Sequence, residues 1–527
     1  MRNFNKKHIT MKETFFSFRH AMAGLTVLPM LVFLLLCVSA CKDDDDTAEL
    51  APFNPSRQVV VNDFSPKDGG VNQKLVIFGD NFGTDTALVR VKIGGKKAVV
   101  VNVKPTVIYC FVPAGAFRGD IEVTIGDDNT GRQTATAAQK FNYERKMVLS
   151  TLCGKRNESG DDPWNPGAVG QAVPFSEASG FREDGFMKWD PRYPERLYII
   201  YDNGGPGIQM LDMNRRTVQL VMSKATCFED KRLRTIDFAD DPFTGEKAKY
   251  MIVSTDRDDA GQQSTSVWIV TRNYDGTFSN SSPRQVLAAY KQCNGASIHP
   301  VNGELYFNSY ESGQVFRLDM NKYFETQQEG YTGEPWKPTL ASGAFQNIFR
   351  IQDNGWEFQI DIHPSGKYAY IVVINQHYIL RSDYNEAEKR FSAPYVFAGE
   401  MGAAGWVEGV GSSARVHRPY QGCFVKNPEY VAAGREDVYD FYFCDNQNHC
   451  VRYLTPDGLV RTYAGRGTSS ITDNNMWGTE DGDLREVARF RDPTGIAYNE
   501  ATNTFYILDT VGHRVRMISM EGEEEQD

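Results

Sequence analysis

The sequence lacks most of the short motifs that mark catalytic centres. It contains no Gly-x-Ser-x-Gly nucleophile turn, no His-Glu-x-x-His zinc motif and no phosphate-binding P-loop. Histidine is scarce, with eight residues among 527. Cys444, His449 and Cys450 lie close together, but no second ligand pair at zinc-site spacing accompanies them. The motifs alone therefore predict no catalytic residue, no metal site and no cofactor.

Paired cysteines and an apolar run of membrane-spanning length are also missing. The apolar segment from Ala21 to Leu36 has the length of a signal-peptide core and is short for a membrane span. Seven cysteines follow Cys41, and they are scattered and odd in number. We therefore predict mostly buried thiols rather than a disulfide framework, although Cys444 and Cys450 flank one turn and could pair across it.

The N-terminus has the features of an export signal. Basic residues precede the apolar segment, whether translation starts at Met1 or at Met11. The segment ends in Val38-Ser39-Ala40-Cys41, which resembles the lipobox of bacterial lipoproteins. The resemblance implies that residues 1–40 are removed and that Cys41 carries lipid. Cleavage by an ordinary signal peptidase, with Cys41 incidental, is the alternative.

An acidic run directly follows the lipobox. Lys42 and the four aspartates 43–46 resemble the export signal of Bacteroidetes lipoproteins that reach the outer face of the outer membrane. The plain alternative is a solvated linker. Removing residues 1–40 takes away five basic residues and one acidic residue, so the mature chain has a net charge of −15. Such a charge disfavours nucleic acid as a partner, because phosphate would be repelled on average.

Residues 59–143 show the alternation of half-buried strands. Short apolar–polar runs are separated by Gly, Asp and Asn turns at the spacing of a β-sandwich. The motifs Phe64-Ser65-Pro66, Gly69-Gly70, residues 77–83, residues 91–95 and Val112-Pro113 together resemble the IPT/TIG immunoglobulin-like domain. In secreted bacterial proteins the resemblance implies a spacer, with direct ligand contact the alternative.

The last hundred residues contain one pattern twice. Asp445, His449 and Arg452 recur, 64 residues later, as Asp509, His513 and Arg516. Each copy is a strand, a turn, an aromatic strand that ends in Asp, a polar turn and a third strand. A unit of this kind cannot bury its apolar faces alone, so copies must stack around an axis. The pattern resembles NHL repeats and implies a β-propeller.

Four weaker copies precede the doubled one and predict six blades in all. They begin near residues 186, 235, 296 and 359. The last copy has no closing strand of its own, and Val148–Cys153 resembles the closing strands of other copies, so we predict that it completes the last blade. The fold class predicted is all-β. Its segments are a signal peptide at 1–40, a lipidated cysteine and acidic linker at 41–57, an IPT/TIG domain at 58–144, a six-bladed NHL-type β-propeller at 146–520 and an acidic tail at 521–527.

Histidines and tryptophans are the candidate functional side chains of the propeller. His299 and His363 precede Pro at matching positions, and His449 and His513 share a turn, so recurrence favours a structural role for all four. Flat aromatic rings in exposed connections suit the apolar faces of sugars. Four tryptophans are predicted to lie in the connections between blades, all on one face: Trp164, Trp356, Trp406 and Trp477. They would either contact ligand or pin down long connectors.

Three functions fit these features. The first is an outer-membrane lipoprotein, exposed at the cell surface, whose propeller binds extracellular carbohydrate for a nutrient-uptake system that includes an outer-membrane importer. The second is a propeller lyase or hydrolase that uses channel groups such as Asp361 and His363, for which the sequence shows no convergence. The third is a protein-binding scaffold. The first rests partly on analogy of fold.

Overall fold

The structure is a computed structural model, and it describes residues 51–154, 168–202, 204–256, 265–289, 293–309, 313–351, 357–467 and 475–522. Almost all regular structure in these ranges is β-strand. The few helical turns are α1 (Lys224–Cys227), α2 (Met320–Glu325) and α3 (Pro428–Ala432), with 3₁₀ turns at Thr86–Leu88, Leu340–Ser342, Ile374–Gln376, Gly411–Ser413 and Asn446–Asn448. None of the described helices is long and apolar enough to cross a bilayer.

The N-terminal unit is a sandwich of two antiparallel sheets. Its strands are β1 (Val60–Ser65), β2 (Asp68–Gly69), β3 (Lys74–Asp80), β4 (Val89–Ile93), β5 (Lys96–Lys97), β6 (Val99–Lys104), β7 (Val107–Phe111), β8 (Ile121–Ile125), β9 (Gln133–Thr136) and β10 (Asn142–Tyr143). The sheet orders are β1-β3-β7-β6 and β5-β4-β8-β9. Alternate residues such as Ile77, Val91, Ile108 and Val123 point inward and form one fully buried core.

Six further sheets form the propeller, each a meander of four strands. Their strands are β11 (Met147–Cys153), β12 (Ala172–Pro174), β13 (Gly185–Trp189), β14 (Arg196–Tyr201), β15 (Gly207–Asp212), β16 (Thr217–Ser223), β17 (Arg232–Ala239), β18 (Tyr250–Asp256), β19 (Thr265–Thr271), β20 (Arg284–Ala289), β21 (Ala296–Ile298), β22 (Leu305–Ser309), β23 (Gln314–Leu318), β24 (Phe345–Arg350), β25 (Phe358–Ile362), β26 (Tyr368–Val373), β27 (Tyr378–Asn385), β28 (Arg390–Phe391), β29 (Tyr395–Gly399), β30 (Gly409–Val410), β31 (Pro419–Lys426), β32 (Tyr439–Asp445), β33 (Cys450–Leu454), β34 (Leu459–Ala464), β35 (Gly482–Asp483), β36 (Pro493–Asn499), β37 (Thr504–Asp509) and β38 (Arg514–Met520).

The blades follow one another around a closed ring. Blades 1 to 6 have the innermost strands β13, β17, β21, β25, β31 and β36, and each contacts the next, while β36 contacts β13. We call the side where the inner strands begin the upper face and the side where they end the lower face. The predicted six-bladed, all-β architecture is confirmed.

Blade 6 is completed from the other end of the propeller. Strand β11 pairs antiparallel with β38, from Met147 opposite Met520 to Cys153 opposite Val515. Leu149 of β11 is 1% exposed and belongs to the core of the last blades. The predicted closing strand is therefore present. Because β11 starts at the lower face, the sandwich joins the propeller there, and Tyr143 donates a hydrogen bond of 2.5 Å to Glu521 at this junction.

Connections between blades add a fifth strand to three of the sheets. Strands β12, β30 and β35 pair with the outer strands β16, β34 and β11. These additions cover outer edges that would otherwise present unpaired backbone groups. Within the doubled pattern, Cys444 and Cys450 are both buried thiols, so the pairing that their spacing allowed does not occur.

Candidate functional site

Charged side chains converge on the upper face, at the mouth of the central channel. The inner strands start side by side around the axis, so residues just before or at their first positions form a ring. The ring residues are Asp184 before β13, Arg232 and Arg234 in β17, Glu357 before β25, Arg418 before β31 and Asp492 before β36. Both signs of charge therefore meet in one place, which we call the upper mouth.

Arg234 organises one side of the upper mouth. Its side chain is 4% exposed and lies 2.5 Å from both Asp202 and Glu357. Arg232 lies 2.6 Å from Asp202, and Asn375 donates a 2.8 Å hydrogen bond to Glu357. A guanidinium held between two carboxylates has little rotational freedom. This network fixes the shape of the upper mouth before any ligand arrives.

Three polar groups lie beside this network. Among the described residues, the buried Nε of Arg418 has no hydrogen-bond partner, and the pKa values of the Asp184 carboxyl and the Tyr420 hydroxyl are raised chiefly by burial and by neighbouring charges. Asp184 and Arg418 attract each other electrostatically, yet no ion pair within 4 Å joins them in the described chain. The upper mouth thus presents an acceptor, a donor and a hydroxyl that does both.

Burial raises the pKa of Asp184 to about 6, and the negative charge of Asp202 adds to the rise while Arg418 opposes it. The native state therefore takes up this proton at a higher pH than the unfolded chain does. The raised pKa of Asp184 therefore stabilises the folded protein at low pH, and this stabilisation is lost as the pH rises through 6. The charged carboxylate is thus a destabilising group at neutral pH.

We expect Asp184→Asn to show this dependence. Relative to the wild type, the variant should be more stable by on the order of 1 kcal/mol at pH 7.5, and the difference should shrink toward pH 4.5. Urea denaturation of both proteins at several pH values measures it. The other titrating groups are the same in both proteins, so their contributions to the pH dependence of stability cancel in the difference. A difference that does not change with pH would contradict the assignment.

Gln421 links three blades just below the ring residues. This buried side chain accepts hydrogen bonds from the backbone N–H groups of Met187 (2.8 Å) and Ile496 (3.1 Å) and donates one to the carbonyl of Met187 (2.7 Å). It therefore joins the inner strand of blade 5 to those of blades 1 and 6.

A second charged group lies nearer the lower face. Lys188 is 3.0 Å from Asp237, and Asp361 lies near both, with a pKa raised to about 7 by burial. His363 does not join it, because its ring bonds Ser365 and lies 3.4 Å from Asp437 of blade 5. The pair Asp361 and His363, weighed as acid–base groups, is therefore not brought together.

The four predicted tryptophans have different positions. Trp164 and Trp356 lie outside the described residues. Trp406 is half-buried and donates a 3.0 Å hydrogen bond to Thr462 on the outer strand of blade 5, so it fastens its connector. Trp477 is also half-buried, with its ring 5.5 Å from that of His449, which in turn lies 2.9 Å from Asp492. Only Trp477 of the described pair connects to the upper mouth, and a ligand contact for any of the four stays a prediction.

The recurring histidines join neighbouring blades. His377 and His449 occupy equivalent turns with positive φ of 64° and 51°, and each ring accepts a 3.1 Å hydrogen bond from the N–H before the next inner strand, at Arg418 and at Asp492. His299 lies 3.1 Å from the carbonyl of Gly366 in blade 4. These contacts join one blade to the next, which for His299 and His449 agrees with the structural role that their recurrence favoured.

The recurring Asp and Arg hold the connectors. Arg452 lies 3.1 Å from Asp445, both are fully buried, and Arg452 also donates to the carbonyl of Val407 at 2.9 Å. In the second copy Arg516 lies 2.9 Å from Asp509 and donates to the carbonyl of Glu480 at 3.0 Å. Each arginine thus ties the connector that carries Trp406 or Trp477 to its blade. Their shared role is structural.

The residues of the upper mouth were not singled out from the sequence. They come from blades 1, 2, 4, 5 and 6, and no two of the ring positions form a recognised motif. The available signal was the residue before each inner strand, which is charged at Asp184, Glu357, Arg418 and Asp492. Within the described ranges, no group of three or more His, Cys, Asp or Glu side chains is arranged to hold a metal ion.

Comparison with known proteins identifies the sandwich and the relatives of the whole chain. The IPT/TIG domain family matches residues 60–143, which confirms the resemblance noted in the sequence. No curated protein matches the chain.

Solved structures match along nearly the whole chain. A Bacteroides thetaiotaomicron protein provisionally called a phosphatase is 50% identical, with 90% of this chain and 99% of that chain covered and a TM-score of 0.77. An auxiliary nutrient binding protein of the same species is 39% identical, covering 89% and 100%, with a TM-score of 0.72. Another, from Bacteroides ovatus, is 32% identical, covering 90% and 100%, with a TM-score of 0.60. The chain therefore belongs to the family of Bacteroides proteins that these three crystal structures represent.

Proposed function

We propose that this protein binds an extracellular carbohydrate, or a related hydroxyl-rich nutrient, at the upper mouth of its propeller. The observation that carries the proposal is the cluster of Asp184, Arg418 and Tyr420 beside a fixed ion-pair network, in which the buried Nε of Arg418 has no hydrogen-bond partner among the described residues. Sugar hydroxyls donate and accept at once, so they match a carboxylate, a guanidinium and a phenol. Because the network is already in place, little order is lost on binding.

Aromatic surface lies beside these groups. The half-buried Trp477 packs on His449, next to Asp492 of the upper mouth, and a sugar bound there would stack on its ring. The names of two relatives, both auxiliary nutrient binding proteins of Bacteroides, support a nutrient-binding role. They do not specify the nutrient, and carbohydrate is our inference from the side chains.

The arrangement of the chain suits a receptor at the cell surface. Lipid on Cys41 would anchor the protein in the outer membrane, and the IPT/TIG domain would act as a spacer. The sandwich joins the propeller at the lower face, where β11 begins, and the upper mouth is on the opposite face. A ligand captured there would be held away from the junction and available to an outer-membrane importer.

Binding is tested with the mature soluble chain from Thr47. A glycan array identifies ligands, and calorimetry measures their affinity. We expect Asp184→Asn to weaken binding at least about tenfold, because a charged hydrogen-bond acceptor is lost, and Tyr420→Phe to weaken it severalfold. Asp127→Asn, on the exposed surface of the sandwich, is the matched control and should bind like the wild type. Unchanged affinity in both upper-mouth variants would remove the site assignment.

An enzyme is the second candidate, on one specific observation. Asp184 has a pKa of about 6, which is within the range of a general acid, and arginines lie beside it in the upper mouth. In addition, the 50% identical relative is provisionally called a phosphatase. Release of phosphate, new reducing ends or unsaturated uronides from ligands on the array would measure it. Product formed by the wild type and lost in Asp184→Asn would overturn the purely binding role.

A further inference from the structure

The sandwich has one outer sheet face that is apolar. On sheet β1-β3-β7-β6 the outward side chains of Val99, Val101, Phe78 and Tyr109 are 66%, 57%, 40% and 38% exposed. The solvent-facing side of an antiparallel sheet is ordinarily polar. A group of neighbouring exposed apolar side chains on a sheet face is therefore a candidate interaction surface.

The pairing of the strands makes this surface continuous. Val76 lies opposite Tyr109, Phe78 opposite Val107, and Val99 opposite Phe111. Polar residues border it on both edge strands: Asp63 and Ser65 of β1 lie opposite Phe78 and Val76, and Asn102 of β6 lies opposite Tyr109. Lys74 begins β3 and Lys104 ends β6. We call these outward residues of β3, β6 and β7 the apolar face.

The outer face of the other sheet is different. Lys92 of β4 lies 3.7 Å from Glu122 of β8, and the hydroxyls of Thr124 and Thr134 are 2.9 Å apart. The two faces belong to one domain and are of similar size. The contrast shows that the apolar face is not a general property of this sandwich, and it offers an internal control.

The chain segment that leads back to Cys41 leaves the domain at one end of the sheet that carries the apolar face. The Asn81 amide accepts a 2.9 Å hydrogen bond from the N–H of Asn54 and donates one of 2.8 Å to its carbonyl. Asn81 directly follows β3, so the chain is fastened at one end of this sheet. Asn54 comes thirteen positions after Cys41, a stretch of chain that spans at most about 45 Å when fully extended. Lipid on Cys41 would hold the sheet within that distance of a bilayer.

We propose that the apolar face docks on the bilayer that receives the lipid on Cys41, a proposal that rests on the lipid anchor of the proposed function. Aliphatic and aromatic side chains would enter the boundary between headgroups and acyl chains, where Tyr109 keeps its hydroxyl in contact with polar groups. The domain would then orient the propeller relative to the membrane instead of acting as a loose spacer.

A second copy of the chain is the less suitable occupant. Three strands about 4.8 Å apart, over four residues each, make a flat area of roughly 200 Å². A stable protein interface buries about 800 Å² on each partner. The face is too small to hold two molecules together by itself, whereas a tethered domain needs only a weak additional contact.

The test uses the mature lipidated chain reconstituted in phosphatidylcholine vesicles. An environment-sensitive fluorophore is attached at Val101→Cys on the apolar face, or at Thr124→Cys on the polar face as the matched control, with the unlabelled wild type as background. Brominated acyl chains quench a probe that reaches them. We expect at least about twofold greater quenching at position 101 than at 124, and adding Phe78→Lys should abolish the excess.

Four results would overturn the proposal. One is equal quenching at the two positions, and another is excess quenching that Phe78→Lys leaves unchanged. The third is a dimer in detergent, seen by sedimentation, that Phe78→Lys dissociates, because the occupant would then be a second copy. Mass spectrometry of the Cys41 peptide verifies the acyl chains, and their absence would also refute docking. Carbohydrate affinity is measured on the same preparation. Its result tests the proposed function separately, because it does not depend on the quenching readouts.

Discussion

Replacing Arg452 by methionine is expected to lower the free energy of unfolding by about 3–5 kcal/mol. The guanidinium and its partner Asp445 are both completely buried, so the substitution leaves a carboxylate without its counter-charge. The carbonyl of Val407 also loses one of its two donors and keeps the N–H of Arg415 at 3.1 Å, so the connector that carries Trp406 is held less firmly. Chemical denaturation monitored by circular dichroism measures the loss.

Arg435→Met is the matched control. Arg435 lies 2.7 Å from Asp457 in an ion pair at the surface of the same blade, with side chains 33% and 70% exposed. Surface pairs of this kind contribute at most about 1 kcal/mol. Arg516→Met should behave like Arg452→Met, because the second copy has the corresponding buried pair and carbonyl contact, to which Arg516 adds an ion pair of 2.6 Å with Asp481. Losses of similar size at Arg435 and Arg452 would contradict a structural role for the repeated pair.

Leu149→Asp is expected to destabilise the propeller by about 3–5 kcal/mol, since it places a charge in the core. Leu149 is 1% exposed and lies in the strand that completes blade 6 from the opposite end of the domain. If β11 detaches, β38 becomes an open edge and the ring can separate between blades 6 and 1. Hydrogen exchange should then accelerate first in β36, β37 and β38.

Two comparisons make this result specific. Val99→Asp changes a side chain that is 66% exposed in the sandwich and should leave exchange in the propeller unaltered. The sandwich core should keep its protection in Leu149→Asp, because it has its own buried cluster. Exchange that accelerates equally in all six blades would indicate that β11 is not the closing contact.

The fold could be predicted because its main determinants repeat along the chain. Asp445 and Arg452 bury an ion pair and hold a connector, and the same chemistry requires Asp509 and Arg516 at the same spacing. The earlier blades are held differently. Thr235, for example, hydrogen-bonds Ser254 at 2.7 Å, so those copies are weaker as sequence patterns although their strands are regular.

The upper mouth could not be predicted in the same way. Asp184, Arg234, Glu357 and Tyr420 are separated by tens to hundreds of residues, and only closure of the ring brings them together. The tryptophans were predicted to be ligand contacts or pins for long connectors because they are large and lie in connectors. The indole N–H of Trp406 fastens its connector to Thr462, a contact that the sequence does not specify. Partners of this kind depend on packing between distant segments.

Hydroxyl-radical footprinting of the mature chain, with and without a saturating ligand from the array, locates the binding face directly. Trp477 belongs to the upper face, and Tyr274, in the turn between β19 and β20, is fully exposed on the lower face. We predict that the ligand slows oxidation of Trp477 at least severalfold and leaves Tyr274 unchanged. Protection of Tyr274 with no change at Trp477 would contradict binding at the upper mouth.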